Sequence, residues 1–164
     1  MTSRPRPAQP TLAVVVPVLD EADCVAELAR RVRAALDASG CRGGILFVDD
    51  GSRDATALRI AELRAADASI QAIHFTRSFG HQAALTAGLR FARADAVVTM
   101  DGDLQHPPEL LPRLLESWRS GADVVHTVRL SPEGRPAAWQ ERAGWLFYAF
   151  LARISATPIV PAGA

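Results

Sequence analysis

"VVTMDGDLQHPPELL", residues Val97–Leu111, joins a β-branched apolar run to two aspartates one residue apart and then to a proline pair. The apolar run suits a strand buried on both faces. The prolines suit a first helical turn, where the missing N–H would have had no helical partner anyway. Strand, polar turn and helix thus follow one another in a single stretch.

The same order recurs on either side. "LAVVVPV" (Leu12–Val18) is a continuous β-branched run. Ala22–Ser39 follows as a helix, with Val25, Leu28, Val32, Ala35 and Leu36 on one face and Gly40 as its stop. "GILFVDD" (Gly44–Asp50) is the second strand, and Asp54 is placed to cap a helix reaching about Ala66. "IQAIHF" (Ile70–Phe75) is the third strand, followed by a helix over Gly80–Arg93. "AVVTM" (Ala96–Met100) is the fourth, with a helix over Glu109–Ser120. "DVVHTV" (Asp123–Val128) is expected to be a fifth strand, Arg129–Pro136 a loop, and Ala137–Ile154 an amphipathic helix. Alternating strands and helices imply an α/β fold: a mostly parallel, Rossmann-like sheet with helices on both faces.

Composition narrows the classes. The chain has 164 residues, 49% of them hydrophobic and 22% charged, with 18 basic and 18 acidic side chains. The even balance argues against a general nucleic-acid binder. Cys24 and Cys41 lack metal-ligand or redox spacing, so free thiols in a reducing compartment are the default. Residues 1–10 are Pro-rich and basic without an apolar h-region, which reads as a disordered leader rather than a signal peptide. The core spans 11–136, and 137–164 holds the amphipathic helix and the start of a further region.

Ligands of such sheets sit beyond the carboxyl ends of the strands. Each unusual polar cluster falls there: "PVLDE", "DDGS", "TRSFGH" and "DGDLQ" follow the first four strands in turn. Asp101 and Asp103 can face one point, and a dication relieves their mutual repulsion. Oxygen ligands suit Mg²⁺ or Mn²⁺, and Gln105 adds a neutral oxygen. A bare D-x-D also fits a turn with a capping aspartate. Asp50 can accept from a base or ribose, or serve a plain turn with Gly51; Glu21 can meet ribose or base, or cap a helix. Pro17 and Leu19 offer an apolar wall. Arg77 and His81 can neutralise phosphate, orient an aspartate, or simply be solvated. Arg129 can reach a diphosphate or lie on the surface. His74 and His126 read as strand residues and His106 as a loop residue. Neither G-x-G-x-x-G nor a P-loop is present.

"VVPVLDE", "FVDDGSRDAT", "RSFGHQAALTAGLRFARAD" and "VVTMDGDLQHPPELLPRLLESWRSGADVV" together resemble family 2 glycosyltransferases of the GT-A fold. The closer likeness is to the polyprenyl-phosphate branch, which includes dolichol-phosphate mannose synthases and undecaprenyl-phosphate glycosyltransferases. The resemblance implies that Pro17, Leu19 and Glu21 line a nucleotide pocket and that Val48 and Asp50 contact the base. It implies that Asp101, Gly102, Asp103 and Gln105 form the metal and diphosphate site, with Asp101, Asp103 and Gln105 nearest the ion, and that Arg129 approaches phosphate. The implied reaction is inverting transfer from a UDP- or GDP-sugar to a polyprenyl phosphate, with Mg²⁺ or Mn²⁺, at the cytoplasmic face of a membrane. Leu19-Asp20 stands where the family usually has Tyr-Asn, and Gly102 replaces a common Ala. The chain ends at "PIVPAGA", before the acceptor-side region of such enzymes, so it reads as the N-terminal part of a longer enzyme or as a truncated gene product. A non-catalytic nucleotide-sugar-binding fragment shares every motif. A sugar nucleotidyltransferase is disfavoured, because "PVLDEAD" is not a Gly-rich loop.

Overall fold

The computed structural model of the chain describes residues 6, 7 and 9–127. The chain divides after Asp123 into two units. The first contains β1 (Thr11–Val18), α1 (Val25–Ser39), β2 (Arg42–Asp49), α2 (Thr56–Ala66), β3 (Ile70–His74), α3 (His81–Phe91), β4 (Ala96–Thr99), a 3₁₀ turn (Pro108–Leu110) and α4 (Leu111–Arg119). The strands are all parallel, in the order β3-β2-β1-β4.

That order follows from handedness. Crossovers between parallel strands are right-handed, so a chain stepping in one direction lays its helices on one face. From β1 to β2 to β3 the chain steps outward through α1 and α2. From β3 it returns past β2 and β1 to place β4 on the other side of β1. The reversed step requires α3 on the opposite face. Side-chain alternation agrees. Leu12, Val14, Val16 and Val18 of β1 pack with Leu28 and Val32 of α1, Ile60 of α2 and Leu111 of α4. Val15 points the other way and packs with Leu46, Val48 and Ala84 of α3. β1 is therefore buried on both faces, as its unbroken apolar sequence requires.

The starts of β1 and β4 are tied by Asp95, whose Oδ2 accepts from both the N–H and the hydroxyl of Thr11 at 2.8 Å. Within the segment read as leader, Arg6 stacks over Trp118 at 4.5 Å and pairs with Asp123 at 3.2 Å. In the second unit the expected fifth strand does not form over the described residues. Val124–Thr127 is irregular, and Val124 is 70% exposed. Strand propensity is chiefly a fit to a half-buried pleated surface, and the exposed Val124 lacks that surface. Val128, Arg129 and the expected helix over 137–154 lie outside the described residues.

Two contacts between elements have measurable consequences for stability. A Cβ on Gly88, in the interior of α3, would lie 2.2 Å from Val15 Cγ1 and 3.1 Å from Val48 Cγ2. Alanine is the better helix former by about 1 kcal/mol, but here it overpacks. Gly88→Ala is expected to destabilise by about 1–3 kcal/mol in urea unfolding; a rise in midpoint would contradict the packing described.

The second is the two-pronged pair of Arg31 and Glu109, Nε to Oε1 at 2.8 Å and an Nη to Oε2 at 2.7 Å, which ties α1 to the 3₁₀ turn. The guanidinium hydrogen bonds lower the Glu109 carboxyl from its ordinary 4.5 to about 2. A depressed folded-state pKa stabilises above the unfolded value, and that contribution is lost as pH falls through the folded one. The stability difference between the wild type and Glu109→Gln should therefore be full above about pH 4.5 and shrink towards pH 2. A difference that stays constant across this window would show that the pair contributes no pH-dependent stability.

Candidate active site

The reversal of strand order between β1 and β4 opens a crevice at their carboxyl ends, because the two following loops leave in opposite directions. A cleft of about 280 Å³ lies there. From β1 and the loop after it come Pro17, Val18, Leu19 and Glu21; from the end of β2, Asp50; from α3, His81 and Ala84; from the loop after β4, Asp101, Gly102 and Asp103. A larger cavity of about 690 Å³ lies at the opposite ends of the strands and is lined by Arg33, Arg42 and Arg93 without a carboxylate. The smaller cleft holds the acidic chemistry.

Two turns set the carboxylates. Gln105 N–H donates to Asp103 Oδ1 at 3.0 Å, and Leu104 between them takes φ +62°. This left-handed conformation is costly for leucine. Its side chain packs against the core on the α1 side, which helps hold the turn. Asp101 is flanked by imidazoles, with His81 Nε2 3.8 Å from Oδ1 and His106 Nδ1 3.5 Å from Oδ2. Gly102 lets the two strand ends approach: a Cβ there would lie 2.7 Å from Val18 Cγ1 and 3.3 Å from Pro17 O. The alanine common in the resembling family would not fit beside Val18 without a shift.

Asp49 and Asp50 face opposite sides of the strand end, as the two-residue pleat dictates. Asp49 accepts from Ser52 N–H at 2.9 Å, and its other oxygen meets His74 Nδ1 at 3.0 Å. Asp50 accepts from the Ser78 hydroxyl at 2.6 Å, Phe79 N–H at 2.8 Å and Gly80 N–H at 2.9 Å. Burial pushes the Asp50 carboxyl up, but these bonds and nearby His81 outweigh it and hold the group below the usual carboxylate range. Its charge orders the loop that delivers His81 to the cleft.

Of the residues expected at a nucleotide and metal site, Pro17, Leu19, Glu21, Asp50, Asp101, Gly102 and Asp103 line this one cleft. Val48 does not. Its side chain is fully buried under α3, because its place in the pleat of β2 points it towards Ala84. Gln105 is exposed and is not among the lining residues; its backbone closes the turn on Asp103. Arg129 lies outside the described residues. Ser78 is not singled out from sequence, and His106 reads there only as a loop residue. Ser78 pairs with Asp50 across 28 positions, beyond any local pattern, and His106 reaches Asp101 only because Leu104 turns the chain back.

No three His, Cys, Asp or Glu side chains converge in a complete metal cage among the described residues. Two carboxylates on one wall still fit a cation such as Mg²⁺, which keeps waters and completes its shell with substrate phosphates.

Comparison with known proteins gives the family and the fold. The family model for glycosyl transferase family 2 matches residues 13–161. An uncharacterized glycosyltransferase, YkcC of Bacillus subtilis (strain 168), is 36% identical over 139 residues, covering 85% of this chain and 43% of the relative. The undecaprenyl-phosphate 4-deoxy-4-formamido-L-arabinose transferase of Pseudomonas fluorescens (strain SBW25) is 43% identical over 119 residues, covering 72% of this chain and 35% of the relative. This chain thus spans less than half the length of these curated relatives. Among solved structures, the mannosyltransferase PcManGT from Pyrobaculum calidifontis, in complex with GDP-Man and Mn²⁺, aligns with TM-score 0.60 and 23% identity over 84% of this chain and 40% of that one. The fold is GT-A. With the cleft at the strand reversal and the family match running almost the length of the chain, the protein belongs to glycosyltransferase family 2.

Proposed function

We propose that the cleft binds a nucleotide-sugar donor with a divalent cation, and that the protein transfers the sugar, with inversion, to a polyprenyl phosphate. The observation that carries this reading is the convergence of Glu21, Asp101 and Asp103 on one crevice at the reversal point of a parallel sheet. Support for the acceptor comes from relatives named as undecaprenyl-phosphate transferases. Support for the donor and ion comes from a structural neighbour that holds GDP-Man and Mn²⁺.

In this reading Leu19 and Pro17 wall the base, Glu21 accepts from ribose or base, and Asp101 and Asp103 would hold Mg²⁺ or Mn²⁺. The bound cation would offset charge on the departing diphosphate. An oxygen of the acceptor phosphate forms the new bond to the sugar C1, while the bond from C1 to the diphosphate breaks and its electron pair leaves with the nucleotide. A phosphate acceptor is already anionic at neutral pH, so the cleft does not need a strong general base. Asp50, committed to Ser78, Phe79 and Gly80, keeps the third strand-end loop in place. Arg129 is proposed to approach phosphate. No helix among the described residues is long and apolar enough to cross a membrane. The lipid acceptor places the reaction at a membrane surface, proposed as the cytoplasmic face.

Titrating UDP and GDP into the protein by calorimetry, with Mn²⁺ and with EDTA, should show affinity that depends on the ion; equal affinity in EDTA would remove the metal from the reading. Asp103→Ala is expected to weaken the metal-dependent binding by about tenfold or more. Transfer of labelled sugar from several nucleotide sugars to polyprenyl phosphate tests the reaction itself, and binding without transfer would favour a donor-binding fragment. Asp50→Asn puts an amide donor among three donors. It is expected to lower thermal stability by about 1–3 kcal/mol and to weaken nucleotide binding through the displaced loop. Unchanged stability with weakened binding would return Asp50 to direct contact with the base.

A further inference from the structure

Three consecutive backbone N–H groups in the loop after β1, beside the cleft, are held by side chains of the loop after β2 and of the first residue of α2. Asp20 N–H donates to Ser52 Oγ at 2.9 Å, Glu21 N–H to Thr56 Oγ1 at 2.8 Å, and Ala22 N–H to Asp54 Oδ2 at 3.1 Å. The exchange is reciprocal. Asp20 Oδ1 accepts from the N–H of Arg53 at 2.7 Å and of Asp54 at 3.3 Å. Asp54 Oδ1 accepts from Thr56 N–H at 2.9 Å, which ties the network to the start of α2, and Thr56 is fully buried. Asp20 sits at φ +56°, a conformation that Asp and Asn tolerate better than most residues.

The loop after β1 therefore takes its shape from the loop after β2. α1 does not begin until Val25, although the Glu21 carbonyl already accepts from Cys24 and Val25 N–H. What the network leaves uncommitted is the pair of side chains on either side of Asp20. Leu19 and Glu21 both line the cleft, and Leu19 is 46% exposed. Groups fixed in place before a ligand arrives bind it more tightly, because the ordering cost has already been met by the fold.

We propose that Asp20 and Asp54, with Ser52 and Thr56, are positioning residues that hold Leu19 and Glu21 in the pose that receives the nucleotide. The proposal rests on the reading of the cleft as a donor site. It differs from a merely stabilising staple in one respect: its effect on binding must pass through Leu19 and Glu21.

The test uses the full chain with Asp20→Ala and Asp20→Asn, each also in a Leu19→Ala/Glu21→Ala background. Amide hydrogen exchange reads the network without any ligand, and calorimetry with UDP and GDP in Mn²⁺ reads binding. Asp20→Ala should speed exchange at Arg53 and Asp54 while leaving the central amides of α1 protected. It should weaken nucleotide binding by about tenfold. Asp20→Asn keeps an acceptor oxygen and tolerates the left-handed backbone, so it should restore affinity to within about twofold. In the Leu19→Ala/Glu21→Ala background, Asp20→Ala should change affinity by less than about twofold, since coupled residues are non-additive. Exchange released without a change in affinity would overturn the proposal. So would a loss of full size in the altered background, which marks a staple. If the wild type binds neither nucleotide while its Arg53 and Asp54 amides are protected, the donor-site reading falls, and the network is reduced to a structural one.

Discussion

The structure depends on the right-handedness of the crossovers through β1. Because α1 and α2 step one way and α3 returns on the other face, β1 is enclosed by helices on both sides and flanked by β2 and β4. An enclosed central strand must be apolar along its buried length, so it can carry polar chemistry only at its ends. The same reversal parts the loops after β1 and β4 and makes the crevice there. Core and cleft are thus two results of one topological step.

The acidic groups at the strand ends divide into two kinds. Asp20, Asp49, Asp50 and Asp54 are each engaged by backbone N–H groups or side chains of another segment, and they join the loops to one another. Among the described residues, the Glu21 and Asp101 carboxylates accept from no backbone N–H, with imidazoles of His81 and His106 lying 3.8 and 3.5 Å from Asp101, and Asp103 commits one oxygen to its own turn. Carboxylates that are already satisfied hold shape; those with spare lone pairs can meet a ligand. A cluster that looks uniformly acidic in sequence is therefore divided between carboxylates that hold the loops and carboxylates that keep spare lone pairs in the cleft.

Much of this was legible in the residues. The β-branched runs marked the four strands, and the polar clusters at their ends marked the cleft, because both depend on local pattern. The failures have a common cause in long-range geometry. The β-branched "DVVHT" reads as a strand but stays irregular over Val124–Thr127, since propensity cannot supply a partner. Val48 adjoins two cleft-end aspartates, yet the pleat turns it under α3. Asp50 sits where expected, but its partners Ser78, Phe79 and Gly80 come from the loop after β3, which periodicity does not align with it. The bonds between the Asp20 and Asp54 loops likewise span more than thirty positions and leave no trace in spacing.

The close approach of Gly102 to Val18 has a consequence for how the sequence can drift. The two positions lie on different strand ends, and the room for a side-chain carbon at one is taken by a methyl group of the other. A lineage that acquires alanine at 102 while valine remains at 18 must pass through a strained intermediate; one that first trims position 18 does not. The order of the two changes is therefore constrained, and the pair should evolve as a unit although neither residue carries a charge or a hydrogen-bonding side chain. Their joint history would record the packing beneath the cleft rather than any ligand that enters it.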